Sequence, residues 1–434
     1  MGFGLFLMVT AVLFIRPTDF IPALEAVPLY EILIITCTAA SFDKIVDQLS
    51  GGLAKNPISA CVLGLFAAVV MSNLANMNVE GAVDIGFEFT KVVIYYLLLV
   101  GNLNSPQRLR SFLLWLALCV TVVNVIGVLQ YYGYIHLESF AVLESSDSDE
   151  IDPETGQTVV ALRLRGTGLF HDPNQLCTIL NVAIPLAVYG LGDRRAGPKR
   201  RLWLGPLLLF VLALQLTKSR GGLMGTIAAI LVLLRARYRG RGMLILGGLI
   251  LPPFLIVFGG RQTNFSVSGG SGHQRLELWY DAFEAILKNP LFGIGTNQFV
   301  EMFGRVAHNA FIQGFAEMGF FGGSLFLGAY LHALLAVYRL DPDRAPEIDP
   351  ELTRMRPCVL AAVAGYAVNM MTLSLNYIVP TYTILGIAAG LLQVAEAEHP
   401  GAAGPTGFAF VRRTVVAAAV YLALMFVYTR VMMR

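Results

Sequence analysis

Charge is what this chain has least of. Only 14% of its 434 residues are Asp, Glu, Lys or Arg, where a soluble domain carries about 25%. With 56% hydrophobic residues and a mean hydropathy of +0.65, the composition excludes an ordinary soluble domain and points to lipid. Cysteine is scarce as well: Cys37, Cys61, Cys119, Cys177 and Cys358 all lie in apolar runs. Their odd number gives no disulfide framework, and no CxxC or Cys/His spacing suggests a metal site. They read as small hydrophobes in packed helices. No DxD-like acidic pair stands where it would suggest a metal. The first apolar stretch, Gly2–Ile15, lacks a basic flank and a small-residue cleavage site. It reads as a retained first span rather than a cleaved signal. No internal repeat stands out.

What the chain has in quantity is apolar runs. A hydrocarbon core of ~30 Å needs roughly 20 residues of helix, fewer where helices are short or their flanks snorkel. Runs that qualify lie near 1–15, 28–42, 58–75, 89–101, 112–135, 174–191, 202–217, 221–235, 243–258, 311–338, 358–375, 378–395 and 414–430. The reading is an all-α polytopic membrane protein with twelve or thirteen transmembrane helices. It divides into N-terminal helices (1–135), a core (136–338) holding two long loops (136–173 and 259–310), and C-terminal helices (339–434).

Lys and Arg orient the chain. With the N-terminus in the cytoplasm, the inner loops hold 19 of the 31 basic residues, Arg194, Arg195, Lys199, Arg200 and Arg201 among them. Eight of the other 12 gather in three outer segments, 163–165, 218–220 and 261–305. Cations concentrated on the side where the rule expects a shortage need another explanation. The first outer loop carries an acidic run, Glu144–Glu154, which reads as a solvated, mobile loop. The second opens with Gly- and Ser-rich chain from Ser266 to Gly272. It then gives an amphipathic helix from Gln274 to Lys288, with Leu276, Trp279, Tyr280, Phe283, Ile286 and Leu287 as its apolar stripe. That helix is too short and too charged to span, so it belongs at the outer membrane surface.

Four polar clusters stand at the outer ends of otherwise apolar helices. They are Arg163 to Asn174, Thr217 to Gly222, Gln274 to Trp279, and His308-Asn309. Arg220 sits in a hairpin too short to carry its charge far from the bilayer, with Gly221-Gly222 allowing close backbone approach. An arginine held there needs anionic partners or a water-filled cavity. Arg275, one turn before Trp279, points towards protein or membrane surface. Guanidinium groups grip diphosphate oxygens in pairs. His308 has the pKa range to accept a proton near neutrality, and His171 is a weaker candidate. Taken singly, each residue has a plainer reading. Arg220 would anchor a headgroup, Arg275 would snorkel, His308 would pack or cap, and Asp172-Pro173-Asn174 would start a helix with Asn174 as its cap. Their order on one face argues for more.

These motifs, in this order, resemble the O-antigen ligase and polymerase superfamily of bacterial membrane glycosyltransferases. The resemblance rests on Gly168-Leu-Phe170-His-Asp-Pro-Asn174, Ser219-Arg220-Gly221, Arg275 with Trp279, and Asn289-Pro-Leu-Phe-Gly-Ile-Gly295. It is completed by His308-Asn309 followed by Glu317-Met-Gly319-Phe-Phe-Gly322. His171-Asp172 departs from the Asn-like residue usual in the first turn. The resemblance implies a GT-C type fold and a metal-independent, cofactor-free transfer on the periplasmic face of the inner membrane. The donor would be a glycan on undecaprenyl diphosphate; the acceptor would be lipid A-core or a growing glycan. Membrane lipids are the remaining partners, and nucleic acid is not among them. Carried over by position, Arg220 and Arg275 hold the donor diphosphate and His308 activates or orients the acceptor hydroxyl, with Arg165, Asn174 and Asn309 supporting. All three principal groups would meet in one pocket facing away from the cytosol.

The same residues serve a ligase, a polymerase or a protein-glycan ligase. A transporter of the same lipid would instead place ionisable residues near mid-membrane and show repeat-related broken helices.

Overall fold

In lipid a chain must satisfy its backbone hydrogen bonds within each segment, and these apolar runs do so as helices. The computed structural model describes residues 2–52, 56–137, 142–151, 158–238, 241–257, 271–341, 348–402, 404 and 407–433. The first helices are α1 (Gly2–Ile15), α2 (Leu29–Ala40), α3 (Phe42–Asp47), α4 (Pro57–Ala75), α5 (Val79–Asn102) and α6 (Pro106–Tyr131). Then come α7 (Pro173–Leu191), α8 (Leu204–Leu216), α9 (Arg220–Arg237), α10 (Arg241–Val257), α11 (Ser271–Lys288) and α12 (Gln298–Phe303). The last are α13 (Ala310–Arg339), α14 (Pro350–Met370), α15 (Val379–Glu398) and α16 (Gly407–Met432). Each of the thirteen expected segments overlaps a helix. Among the described residues, seven helical segments are long and apolar enough to cross a membrane (Gly2–Asp19, which holds α1, and α4, α6, α7, α13, α15 and α16), and α2 and part of α10 are shorter apolar helices. All five cysteines are buried and free, as small hydrophobes in packed helices should be.

The structure departs from the sequence reading in four places. The acidic run is not simply loop: β1 (Leu143–Ile151) pairs antiparallel with β2 (Thr158–Arg163), Leu143 opposite Arg163 and Glu144 opposite Leu162. Thr158-Val-Val favours the extended chain that makes this hairpin. Asp172, not Asn174, caps α7, its carboxylate accepting from the backbone N–H groups of Asn174 and Gln175 with Pro173 at the first helical position. In α11, Leu287 is 69% exposed while Leu278 is buried, because the face that packs on α13 and α16 is rotated from the expected stripe. Finally, α14 runs through Pro357 and ends at Met370, so 371–375, expected as helix, join the non-helical connection that extends to 378. The end of the acidic run, the stretch from Ser266 to Gly270, and Arg261 lie outside the described residues.

Contacts group the chain into two compact units. One comprises residues 1–40, 107–270 and 354–369; the other comprises 41–106, 271–353 and 370–434. In the first, α7 packs against α8 and α9. A Cβ on Gly222 would lie 2.4 Å from Cys177 Sγ and 2.6 Å from Cys177 Cβ, so this glycine serves close packing of α9 on α7. Ring stacking of Phe6 on Phe112 and a bond from Trp115 Nε1 to the Leu7 carbonyl fasten α1 to α6. Asp193, just after α7, gathers Arg110, the Arg195 N–H and Arg354 around one buried carboxylate. Burial alone would raise its pKa; the Arg110 bond and charge, the Arg195 N–H and Arg354 outweigh this and hold it below the usual range.

In the second unit α13 is central, packed against α4, α11, α15 and α16. It is broken at Gly319, whose φ of +63° is a left-handed conformation natural to glycine. The Asn289–Gly295 turn docks onto this break through backbone bonds. Ile294 and Gly295 N–H donate to the Ala316 and Glu317 carbonyls, and Phe320 and Phe321 N–H donate to the Pro290 and Leu291 carbonyls. A Cβ on Gly293 (φ +70°) would fall 2.4 Å from the Glu317 backbone, so that approach also requires glycine. Two glycine motifs far apart in sequence are thus two sides of one backbone contact.

Candidate functional site

In the first unit a buried polar network holds the start of α9. Ser219 caps that helix, its Oγ accepting from the Gly222 N–H. The same hydroxyl donates to Asn174 Oδ1 at 2.7 Å. The guanidinium of Arg163, 8% exposed, donates to that oxygen at 3.0 Å and to the Thr217 carbonyl at 2.8 Å. Leu164 N–H donates to the Leu216 carbonyl. The chain between Thr217 and Ser219 is therefore fixed from both sides, with Lys218 held at φ +53°. Arg220 follows as the first residue of α9, half-buried and at the positive end of the helix. Asn174 thus supports Arg220 through Ser219. Arg163, which sequence reasoning passed over in favour of Arg165, makes the network's bonds. Arg165 and His171 lie elsewhere in this unit, beside Arg16 and Asp19. Burial, with the Arg165 and Arg16 charges, lowers the His171 pKa against the pull of Asp19.

In the second unit two bonds fasten the start of α11 to the segment before α13. Arg305 Nη1 donates to Gln274 Oε1 at 2.8 Å, and Trp279 Nε1 donates to the Ala307 carbonyl at 2.8 Å. Arg275, half-buried, lies between those anchors. His308 is half-buried and sits at φ +52°, where a side chain costs energy unless its neighbours dictate the conformation. They do. On one side, Ala307 N–H donates to Gln313 Oε1 while its carbonyl takes Trp279. On the other, fully buried Asn309 caps α13 through the Phe311 and Ile312 N–H groups and accepts from the Tyr421 hydroxyl. The structure thus brings Arg275, His308 and Asn309 to one end of this unit. Arg220 belongs to the other unit.

Behind His308 lies a residue that the sequence motif contained without showing its importance. Glu317 is fully buried. It accepts from Gln313 Nε2 at 2.9 Å and from the Tyr377 hydroxyl at 2.6 Å, and also from the backbone N–H groups of Asn297 and Phe299. Burial and the Glu317 carboxylate push the Tyr377 phenol far above its usual range, so it remains a donor. Next to Tyr377, Asn376 Nδ2 donates to the Ala310 carbonyl at 2.7 Å. A signal was available. A carboxylate four residues after a glutamine inside an apolar helix is costly in lipid and marks function by default. Among the described residues, no three His, Cys, Asp or Glu side chains gather as metal ligands.

Among the described residues, fold and composition are those of a predominantly helical, multi-pass membrane protein. Residues 205–327 match the family described as O-antigen ligase. Members of that family are glycosyltransferase-like enzymes, and the family implies a lipid-linked glycan and an acceptor as partners. No curated protein matches the chain.

Proposed function

We propose that the protein is a ligase that moves a glycan from undecaprenyl diphosphate to a hydroxyl of lipid A-core at the periplasmic face of the inner membrane. One observation carries the reading: the matched segment, 205–327, contains Arg220, Arg275, His308 and Asn309. Arg220 and Arg275 bind the donor diphosphate, whose oxygens suit the bidentate fork of a guanidinium. Their charge stabilises the leaving group as the bond from the anomeric carbon to phosphate oxygen breaks. His308 accepts the proton of the acceptor hydroxyl, or orients it, as that oxygen forms the glycosidic bond. Support comes from the way the chain holds these groups. Arg220 opens a capped helix, and His308 is kept in a left-handed backbone by bonds on both sides. Donor positioning by cations alone predicts transfer that survives EDTA.

The test is purified protein supplied with carrier-linked glycan, with and without lipid A-core. Glycan on lipid A-core, formed in EDTA, is the expected product. Longer glycan on the carrier without lipid A-core would make the protein a polymerase, and no transfer to any acceptor would overturn the reading.

A further inference from the structure

Two separate side-chain arms start from the buried Glu317 carboxylate and end on the two residues that bracket His308-Asn309. The first passes through Gln313. Because the Gln313 amide gives its NH2 group to Glu317, its carbonyl oxygen is turned towards the Ala307 N–H, which it accepts at 3.1 Å. An amide has one donor end and one acceptor end, so the carboxylate at 317 dictates which end faces Ala307. The second arm passes through Tyr377, whose hydroxyl reaches Glu317 at 2.6 Å, to the adjoining Asn376, which holds the Ala310 carbonyl at 2.7 Å. Ala307 immediately precedes His308 and Ala310 immediately follows Asn309. The backbone between them includes the left-handed His308.

We propose that Glu317 is a positioning residue for the transfer reaction: through Gln313 and through the Tyr377-Asn376 connection it sets the backbone conformation that aims the His308 imidazole. This rests on the reading of His308 as the acceptor-side group. Glu317 touches neither donor nor acceptor. Its effect falls on the rate of transfer rather than on binding of the donor, because positional errors of about 1 Å at a reacting group cost up to ~100-fold in rate. Glu317→Gln preserves size but presents an NH2 group to partners that are themselves donors. Gln313→Leu leaves Glu317 with its other three donors and cuts only the first arm.

The experiment uses the full chain in nanodiscs. Transfer kcat and donor KM are measured for wild type, Glu317→Gln, Gln313→Leu and His308→Ala. In parallel, mass spectrometry follows modification of His308 by diethylpyrocarbonate, with exposed His273 as the internal control. Both positioning variants are expected to lose at least about tenfold in kcat with donor KM within about twofold. The modification rate of His308 should change by about threefold or more while that of His273 does not. Wild-type kcat and an unchanged His308 rate in both variants overturn the proposal; so does loss of both variants from the membrane, which would make the pair a folding element. Wild-type transfer by His308→Ala overturns the functional reading instead. An inactive His308→Ala beside two fully active positioning variants removes Glu317 and leaves that reading standing.

Discussion

Gly293→Ala isolates the contact on which the rear of the candidate site is built. The substitution has two costs. A residue with a Cβ at φ +70° pays about 1–2 kcal/mol for the left-handed backbone. The new methyl would also lie 2.4 Å from the Glu317 backbone carbon and oxygen. Those atoms cannot swing aside as the tip of a flexible side chain would, so overlap adds about 1–3 kcal/mol. Gly304 provides the control. Its φ is +71°, and nothing lies within 4 Å of a Cβ built there, so Gly304→Ala incurs the backbone cost alone. The difference between the two variants measures the docking of the 289–295 turn on the broken helix. At roughly 2 °C per kcal/mol for a chain of this size, Gly293→Ala should melt at least about 2 °C below Gly304→Ala in nanodiscs, with a further loss of transfer. Equal melting of the two variants would refute the close approach.

Other perturbations follow from the same contacts. Asp193→Asn should lower the melting temperature, because two arginines and a backbone N–H then lose their carboxylate. A carboxyl depressed in the folded state contributes stability above its unfolded pKa and loses it as pH falls through the folded value. The gap between wild type and variant should therefore be constant above about pH 5 and close on further acidification; a gap that widens in acid contradicts the assignment. Asn309→Ala should cost about 1 kcal/mol by removing a helix cap, while Asn309→Ser recovers most of it. Thermal scans that fail to separate the pair would count against the cap. Arg163→Lys should destabilise by about 1–3 kcal/mol, since a single ammonium cannot replace the fork that bridges Asn174 and the Thr217 carbonyl. A melting temperature equal to wild type would refute it.

The membrane helices were legible because apolar runs of span length have few alternatives in lipid. Helix ends were less so. The run 358–375 marked the body of α14 but not its ends: the helix begins at Pro350, passes through Pro357 and stops at Met370. Asn376 and Tyr377 fell between two expected runs, and their partners Ala310 and Glu317 are more than fifty residues away. Periodicity carries no information about such contacts. The hairpin formed by β1 and β2 was masked by its acidic residues, since charge density outweighs strand propensity in any local reading. At the candidate site, residue types at helix ends together with the family resemblance nominated Arg220, Arg275, His308 and Asn309. What sequence did not convey is how each is held: a cap and a buried arginine behind Arg220, and a left-handed backbone at His308. Those features depend on φ angles and hydrogen-bond directions set by tertiary packing. The Asn-Pro-Leu-Phe-Gly-Ile-Gly and Glu-Met-Gly-Phe-Phe-Gly motifs were visible as separate patterns; only their docking explains why both need glycine.

The most direct test compares wild-type protein with Arg220→Ala, Arg275→Ala and His308→Ala, each purified into nanodiscs and given carrier-linked glycan with lipid A-core. Wild type should transfer, and each variant should be present in the membrane at normal abundance yet fail to form product. Product at the wild-type rate from all three would contradict the account.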